Sequence, residues 1–175
     1  MSERAGRYQR SAGGMVGAMV VLVALVVGWV GIRALTSGSP ESEPTVDYAQ
    51  VVPEVRKAAR LAVVAPPSLP PGWRATSTRF TDGTREHWHL GVLTDQDQYV
   101  GLEQSADPVR SMVRTYVDEA ASAGKPVRVR GRTWSTYTDS GGDLALVRRD
   151  GGTTTLVVGH EVPRSALVGY VADLR

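Results

Sequence analysis

The sequence predicts an α+β fold, in which one antiparallel β-sheet with helices packed on a face follows an N-terminal transmembrane helix. Three observations lead to this prediction. Residues 11–32 form a long uncharged run, seven later segments alternate like β-strands between turn residues, and proline-led amphipathic segments follow two of the predicted hairpins. The order of these elements predicts a domain of mixed secondary structure behind a membrane anchor.

The uncharged run has the length of a membrane-spanning helix. Its 22 residues, 11–32, would span about 33 Å as a helix, enough to cross the core of a bilayer. Arg4, Arg7 and Arg10 precede it, so the positive-inside rule predicts a cell-membrane protein with a cytoplasmic tail over residues 1–10 and an extracytoplasmic C-terminal domain. A cleaved signal peptide is the alternative, although its apolar core is usually shorter.

Small residues recur in steps of three and four along one side of this predicted helix. Such a face lets two membrane helices approach closely, which predicts self-association or pairing with a partner helix. The alternative is the ordinary abundance of glycine in membrane helices. The predicted packing face consists of Gly14, Gly17, Val21, Ala24, Gly28 and Gly31.

Charge and composition limit the function classes. Residues 1–33 hold four of the 20 basic and one of the 18 acidic residues, which leaves 16 basic and 17 acidic residues beyond them. A nearly neutral exported part gives no support to nucleic-acid binding. The chain has no cysteine, which excludes disulfides and thiol chemistry. Only two of the 20 basic residues are lysine, which is typical of a GC-rich bacterial gene.

The domain itself is predicted over residues 47–175, after a flexible linker rich in Ser, Pro, Glu and Gly over residues 33–46. Pro53 is predicted to open a short helix, and the Pro-rich stretch 65–73 leads into the sheet. The predicted strands are Trp73–Phe80, Glu86–Leu93, Tyr99–Gln104, Val127–Arg130, Trp134–Thr138, Leu144–Arg149 and Thr153–Val162, with Asp150-Gly151-Gly152 as a hairpin turn between the last two.

Two further helices follow hairpins in this scheme. One is predicted to begin at Asp107-Pro108 and to end at Gly124, and the other begins at Pro163. A shift of 54 residues lays 90–117 on 144–171 with six identities in 28 pairs. These matches indicate a possible weak internal repeat.

The segment His87-Trp88-His89-Leu90 is the strongest candidate for chemistry. On a strand, His87 and His89 point to the same side about 7 Å apart, a spacing that suits a zinc or copper pair. Trp88 and Leu90 are predicted to face the core, so the histidines are predicted to form a polar face that meets solvent or a partner. We therefore expect no metal and no cofactor, with a metal pair as the alternative.

Arg128, Arg130 and Arg132 are predicted to form a basic stripe on one strand face. Such a stripe is either a solvated, salt-bridged surface or a contact for anionic lipid headgroups or wall polymer. Together with His87 and His89 it makes up the predicted interaction face.

Three common catalytic and phosphate-binding motifs are absent from the sequence. The sequence contains no G-x-S-x-G, no phosphate-binding GxxxxGK[ST] and no G-x-G-x-x-G. His160 lies in register with Leu156 and Val158 on a predicted core face, where a hydrogen-bonded structural role is more common than that of a base. Asp95, Asp97, Asp139 and Asp143 occupy predicted turns, with calcium binding as the alternative to ordinary turn capping. We expect no enzymatic activity.

Several segments together resemble a known family. The N-terminal anchor, LPPGW at 69–73, WHLGVLTDQDQYVGLEQS at 88–105, Gly131-Arg132-Thr133-Trp134 and the C-terminal TTLVVGHEVPRSALVGYVADL resemble the actinobacterial membrane-protein family known as domain of unknown function 4245. This resemblance implies a single-pass anchor and an exported α+β domain, without an assigned activity. LPPGW, His89-Leu90 and 158–163 are also similar, more faintly, to the C-terminal domain of the MucB/RseB periplasmic regulators.

These observations predict a membrane-anchored interaction or regulatory module that binds another protein of the cell envelope. The alternative is a carrier or sensor of a small apolar or lipidic ligand. Trp73, Trp88 and Trp134 are aromatic residues that either pack in the core or line a cleft between sheet and helices.

Overall fold

A computed structural model describes residues 45–175, in which three helices and seven strands form an α+β domain. The predicted number of strands and the α+β class are confirmed. In chain order the elements are α1 Tyr48–Ala58, β1 Arg74–Thr81, β2 His87–Leu93, β3 Tyr99–Ser105, α2 Val109–Tyr116, β4 Ser122–Val129, β5 Arg132–Thr138, β6 Asp143–Asp150, β7 Thr153–His160 and α3 Arg164–Ala172.

All seven strands belong to one antiparallel sheet with the order β1-β2-β3-β7-β6-β5-β4. Two meanders therefore meet at the centre, where β3 pairs with β7. The β6–β7 hairpin closes through Gly151-Gly152, both with positive φ, as the sequence predicts. Strands β1 and β4 form the two edges of the sheet.

Helices α1 and α3 cover one side of the sheet, here called the α1/α3 face, and bury most of the core. Trp88, Leu90 and Leu102 are fully buried there, because these positions alternate onto the same side of β2 and β3. Val52 of α1 and Leu167 of α3 pack into the same cluster. The core-facing direction predicted for Trp88 and Leu90 is thus confirmed.

Helix α2 packs on the opposite side, here called the α2 face, with a smaller apolar cluster. Met112 and Val113 of α2 lie against Val147, Leu156 and Val158 of the central hairpin. The expectation of helices on a single face was therefore wrong. Both sides of β6 and β7 carry apolar side chains, so each side requires its own cover.

Two predicted helix ends differ from the structure. Helix α1 starts at Tyr48 and contains Pro53, because Tyr48 and Val52 are buried against the sheet. Helix α2 ends at Tyr116, and Gly124 lies within β4, where it pairs with Thr136. Pairing with β5 takes these residues from the helix, so the predicted Gly124 cap was wrong.

The internal repeat extends to the order of elements but not to their packing. A hairpin followed by a helix occurs twice, as β2–β3–α2 and β6–β7–α3. Residues matched by the 54-residue shift, such as Leu102 and Leu156, nevertheless lie on opposite faces of the sheet. The loop of the first hairpin joins Leu93 to Tyr99, whereas the second hairpin turns tightly, and the pairing registers differ accordingly.

The predicted cytoplasmic tail, transmembrane helix and most of the linker lie outside the described residues, as does the predicted helix-packing face of Gly14, Gly17, Val21, Ala24, Gly28 and Gly31. Within residues 45–175, no helix combines the length and the apolar character that crossing a membrane requires.

Candidate functional site

Strand β2 directs His87 and His89 to the α2 face, away from the Trp88 side. The histidines thus point away from the Trp88 side, as predicted, but their side chains are only 23% and 19% exposed, so the solvent-exposed form of that polar face is not what the structure shows. Helix α2 extends over this end of the sheet and places Tyr116 against His87. The two histidines therefore belong to a half-buried polar cluster rather than to an open surface.

Glu103 is the centre of this cluster. It lies directly across from His89 on β3 and is only 4% exposed. His89 Nδ1 lies 2.7 Å from Glu103 Oε1, and His89 Nε2 lies 2.9 Å from Ser77 Oγ. An ionised carboxylate only accepts, so Nδ1 carries a proton; whenever the ring is neutral, Nε2 is then the acceptor for the Ser77 hydroxyl. Ser77, His89 and Glu103 form a relay of two hydrogen bonds across three strands.

His87 occupies the other side of the same carboxylate. Its Nε2 lies 2.9 Å from the Tyr116 hydroxyl oxygen and also 2.9 Å from Glu103 Oε2. The His87 and Tyr116 rings are stacked, with centroids 5.6 Å apart and planes 1° from parallel. The contact with Oε2 is close but not aligned as a hydrogen bond, so among the described residues this buried oxygen has no hydrogen-bond partner. The histidine cluster, defined as Ser77, His87, His89, Glu103 and Tyr116, thus keeps one acceptor free.

The charge of Glu103 is stabilised despite its burial. Burial alone would raise the pKa of Glu103, but the hydrogen bond from His89, the close contact of His87 and the charges these rings carry when protonated outweigh it and hold the pKa below its usual range. Partial burial of Tyr99 and, to a smaller extent, the nearby charge of Glu103 raise the pKa of Tyr99 to about 12. Glu103 is therefore the ionised acceptor, and Tyr99 remains neutral.

Two glycines make room beside this cluster. Gly91 and Gly101 pair across β2 and β3, on the same side as His89 and Glu103. A Cβ on Gly91 would collide with Ser77 Oγ, and one on Gly101 would lie 3.1 Å from the Tyr99 hydroxyl oxygen. The missing side chains leave the space that Ser77 and the Tyr99 ring occupy.

A second candidate site lies on the α1/α3 face near the opposite edge of the sheet. It is an open cavity of about 440 Å³ with an apolar floor that includes Val129, Trp134 and Leu174. One wall is the end of the chain, where the backbone of Arg175 exchanges hydrogen bonds of 3.1 and 3.2 Å with Ala65. We call it the arginine pocket, since its rim comprises Arg130, Arg132, Arg148 and Arg175.

The β4–β5 turn explains why arginines gather at this rim. Arg130 and Gly131 both have positive φ and close a two-residue hairpin between the paired residues Val129 and Arg132. Arg132 consequently shares the side of Val129, which faces the pocket. Arg130 lies 3.3 Å from Asp173, whereas Arg132 forms no ion pair within residues 45–175. The rim therefore retains a cation that the described residues do not neutralise.

The same turn divides the predicted basic stripe. Arg132 lines the pocket, Arg130 lies in the turn, and Arg128 pairs with Thr133 and is exposed on the other face. The expectation of one stripe on one strand face was wrong, because the strand ends at Val129. The arginines are also separated from His87 on β2 by the strands between the two edges, so the five predicted residues do not form one surface.

His160 and the turn aspartates make local contacts. His160 shares the side of Leu156 and Val158 but lies beyond the cover of α2, and its exposed ring makes a 2.9 Å hydrogen bond with Asp143. That hydrogen bond raises the pKa of His160. Asp139 Oδ1 accepts from the backbone N–H groups of Gly141 and Asp143. In the part of the chain that the structure describes, no three His, Asp or Glu residues are arranged to hold a metal ion.

The family comparison covers most of the chain. The family model described as "Protein of unknown function (DUF4245)" matches residues 7–168. No curated protein and no solved structure matches the chain.

Proposed function

The chain belongs to the family of proteins of unknown function DUF4245, and from its pockets we propose that it is a membrane-anchored module that binds a small anionic amphiphile. The proposed site is the arginine pocket, with the headgroup at the rim and the apolar part on the floor. The observation that carries the proposal is that one open cavity is lined both by Trp134 and by Arg132, which forms no ion pair within residues 45–175. Phosphate and carboxylate groups are the anions that a guanidinium recognises best.

The shape of the site favours this ligand over a purely apolar one. A cavity of about 440 Å³ is large enough for a short acyl chain or a ring system. Its floor is apolar, whereas its rim is cationic, so an amphiphile matches both regions. A neutral apolar ligand would leave the Arg132 guanidinium, which forms no ion pair within residues 45–175, without a partner.

Binding to another envelope protein is the second candidate, and the surface supports it less. A stable protein interface usually includes exposed apolar or aromatic residues. Among the large hydrophobic residues between positions 45 and 175, only Tyr99 is exposed, at 38%. A single exposed aromatic residue provides little apolar area for binding a protein, whereas the cavity for a small ligand is present in the structure.

Isothermal titration of the full chain in phosphatidylcholine nanodiscs tests the proposal. The probes are octyl phosphate below its micelle concentration, octyltrimethylammonium, and inorganic phosphate, with empty nanodiscs as the blank. Octyl phosphate should bind and the cationic analogue should not, while phosphate alone should bind much more weakly.

Arg132→Gln and Arg128→Gln form a matched pair, because both arginines belong to the same hairpin but face opposite sides of the sheet. Loss of a charge-assisted hydrogen bond costs about 1.5–3 kcal/mol, so Arg132→Gln should weaken octyl phosphate binding by about 10-fold or more. Arg128→Gln should leave the Kd within about 2-fold. Equal effects of the two substitutions, or equal binding of both octyl probes, would count against the arginine pocket.

A further inference from the structure

Ser77 reaches the histidine cluster because of an irregularity in β1. Ala75 pairs with Val92 and Ser77 with Gly91, so Thr76 is an extra residue in this strand. Simple alternation from buried Ala75 would place Ser77 on the α1/α3 face. The bulge turns Ser77 to the α2 face, where its Oγ meets His89 Nε2 at 2.9 Å. Bulges commonly re-aim side chains beside functional sites.

The resulting order of groups is that of an activated serine. Ser77 Oγ contacts Nε2 of the His89 ring, and Nδ1 of the same ring contacts the buried carboxylate of Glu103 at 2.7 Å. Serine hydrolases of unrelated folds use this order, with hydroxyl, imidazole and acid in series, and are recognised by geometry rather than by sequence position. We propose that Ser77 is a nucleophile that takes an acyl group from a carboxylic ester, with His89 as its general base and Glu103 as the positioning residue.

The proposed reaction is balanced without a further reactant besides water. Ser77 Oγ forms a bond to the ester carbonyl carbon while His89 Nε2 takes the hydroxyl proton. The bond from that carbon to the alkoxy oxygen then breaks, and His89 delivers the proton to the departing alcohol. Water then attacks the acyl carbon while His89 Nε2 takes a proton from it, the bond from that carbon to Ser77 Oγ breaks, and His89 returns the proton to Oγ, which releases the carboxylic acid and restores the serine. Glu103 remains ionised throughout and keeps the proton on His89 Nδ1.

The surroundings leave Ser77 accessible and His89 correctly oriented. Ser77 is half-buried on the edge strand β1; its neighbour Gly91 has no side chain, and the Tyr99 ring lies beside the position that one would take. The charged and titratable groups on this face around His89 are Glu103 and Tyr99 from β3, His87 from β2, Arg79 from β1 and Tyr116 from α2. Arg79 is exposed and pairs with His89 across the strands, so a cationic residue lies two positions from Ser77 on the same face of β1.

This proposal does not rest on the ligand site. The histidine cluster lies on the α2 face of β1, β2 and β3, whereas the arginine pocket lies on the α1/α3 face. Failure of octyl phosphate binding would leave the serine proposal standing, and the converse also holds.

Labelling of the full chain with a fluorophosphonate tests the proposal directly. This reagent forms an Oγ–P bond with an activated serine, the P–F bond breaks, and the proton leaves through the base with fluoride. Peptide mass spectrometry should locate the adduct at Ser77, and Ser77→Ala should abolish it. Ser135→Ala is the matched control, since Ser135 is exposed on β5 without a histidine contact, and it should label like the parent protein.

Variants of the other two groups separate activation from folding. His89→Ala should slow labelling about 100-fold or more, the usual contribution of a general base, and added imidazole should restore part of the rate. Glu103→Gln should slow labelling and alter its pH profile. Circular dichroism of each variant checks that the sheet is intact. Hydrolysis of p-nitrophenyl butyrate should show the same order of variants.

Three results would overturn the proposal. One is a folded parent chain with no adduct at Ser77, and a second is an adduct formed no faster at Ser77 than at Ser135. The third is a folded His89→Ala variant that is labelled as fast as the parent, or whose labelling rate does not rise when imidazole is added.

Discussion

At the scale of single residues, Glu103 determines what the two neighbouring histidines do. Its carboxylate lies in the sheet interior with one oxygen on His89 and the other close to His87. A buried charge without its partners costs several kcal/mol, so the histidines are structural partners whatever else they do. An exposed polar strand face would tolerate their replacement, whereas this cluster does not.

Replacing both His87 and His89 with threonine should therefore lower the free energy of unfolding by about 3 kcal/mol, because Glu103 would remain buried and unpaired. Adding Glu103→Val to the pair should recover most of that loss, since the buried charge is then gone. Urea unfolding of the double and triple variants measures both effects. No loss in the double variant would mean that Glu103 is not held by the histidines.

Glu103 should also make the stability of the domain depend on pH. The pKa of Glu103 is lowered in the folded state, so its contribution is fully present above the ordinary glutamate value of 4.5. That contribution is lost as the pH falls from this value through the lower folded pKa. The parent protein should lose more stability below about pH 4.5 than Glu103→Gln, as urea midpoints across an acid pH series would measure. Parallel curves for the two proteins would contradict the pKa direction.

At the scale of elements, the docking of α3 depends on one glycine of β7. A Cβ on Gly159 would lie 2.8 Å from Val162 Cβ and 2.9 Å from Leu167 Cδ2, both of which belong to the core. Gly169 on the exposed side of α3 has nothing within 4 Å of the same position. Gly159, which precedes α3, therefore has no room for a side chain, whereas Gly169, within α3, does.

Gly159→Ala should destabilise the domain by about 1–3 kcal/mol through overpacking, whereas Gly169→Ala should stabilise it by about 0.5–1 kcal/mol by favouring the helix. Thermal unfolding of the two variants checks the opposite signs. Stabilisation by Gly159→Ala would show that α3 is not packed closely on β7.

The elements show which parts of the structure the sequence could predict. Alternation and turn chemistry identified seven strands and the Gly151-Gly152 hairpin, because these signals are local. The end of α2 and the start of β4 could not be predicted, because pairing of Gly124 with β5 decides them. Amphipathic periodicity extended the helix past Tyr116, but it contains no information about a strand arriving from later in the chain.

The candidate sites, too, could be predicted only where the signal in the sequence is local. Trp88 and His89 were assigned to opposite sides of β2 by alternation alone. The pairing of His89 with Glu103 could have been found from the sequence by fixing the hairpin register between Leu93 and Tyr99. The contact of Ser77 with His89 could not have been predicted. The bulge at Thr76 moves Ser77 to the opposite face of the sheet, and no glycine or proline marks that bulge in the sequence.

At the scale of the whole molecule, the described domain presents two separate polar sites on opposite faces of one sheet. The predicted membrane anchor precedes this domain in the chain, and the proposed function depends on its topology. A reporter that is active only in the cytoplasm, fused after Arg175, should be silent in cells that produce the protein. A fusion after residue 10 should be active, and activity of the Arg175 fusion would reverse the proposed orientation.

The central claim is that an anionic amphiphile occupies the arginine pocket, and the indole N–H resonance of Trp134 tests it most directly. Trp134 lines the pocket, whereas Trp73 stacks on Tyr170 with ring centroids 5.9 Å apart and is not part of its lining. In ¹H–¹⁵N spectra of the full chain, assigned with Trp134→Phe, octyl phosphate should shift the Trp134 signal to saturation and leave that of Trp73 in place. An unmoved Trp134 signal, or equal shifts of both indoles, would contradict the claim.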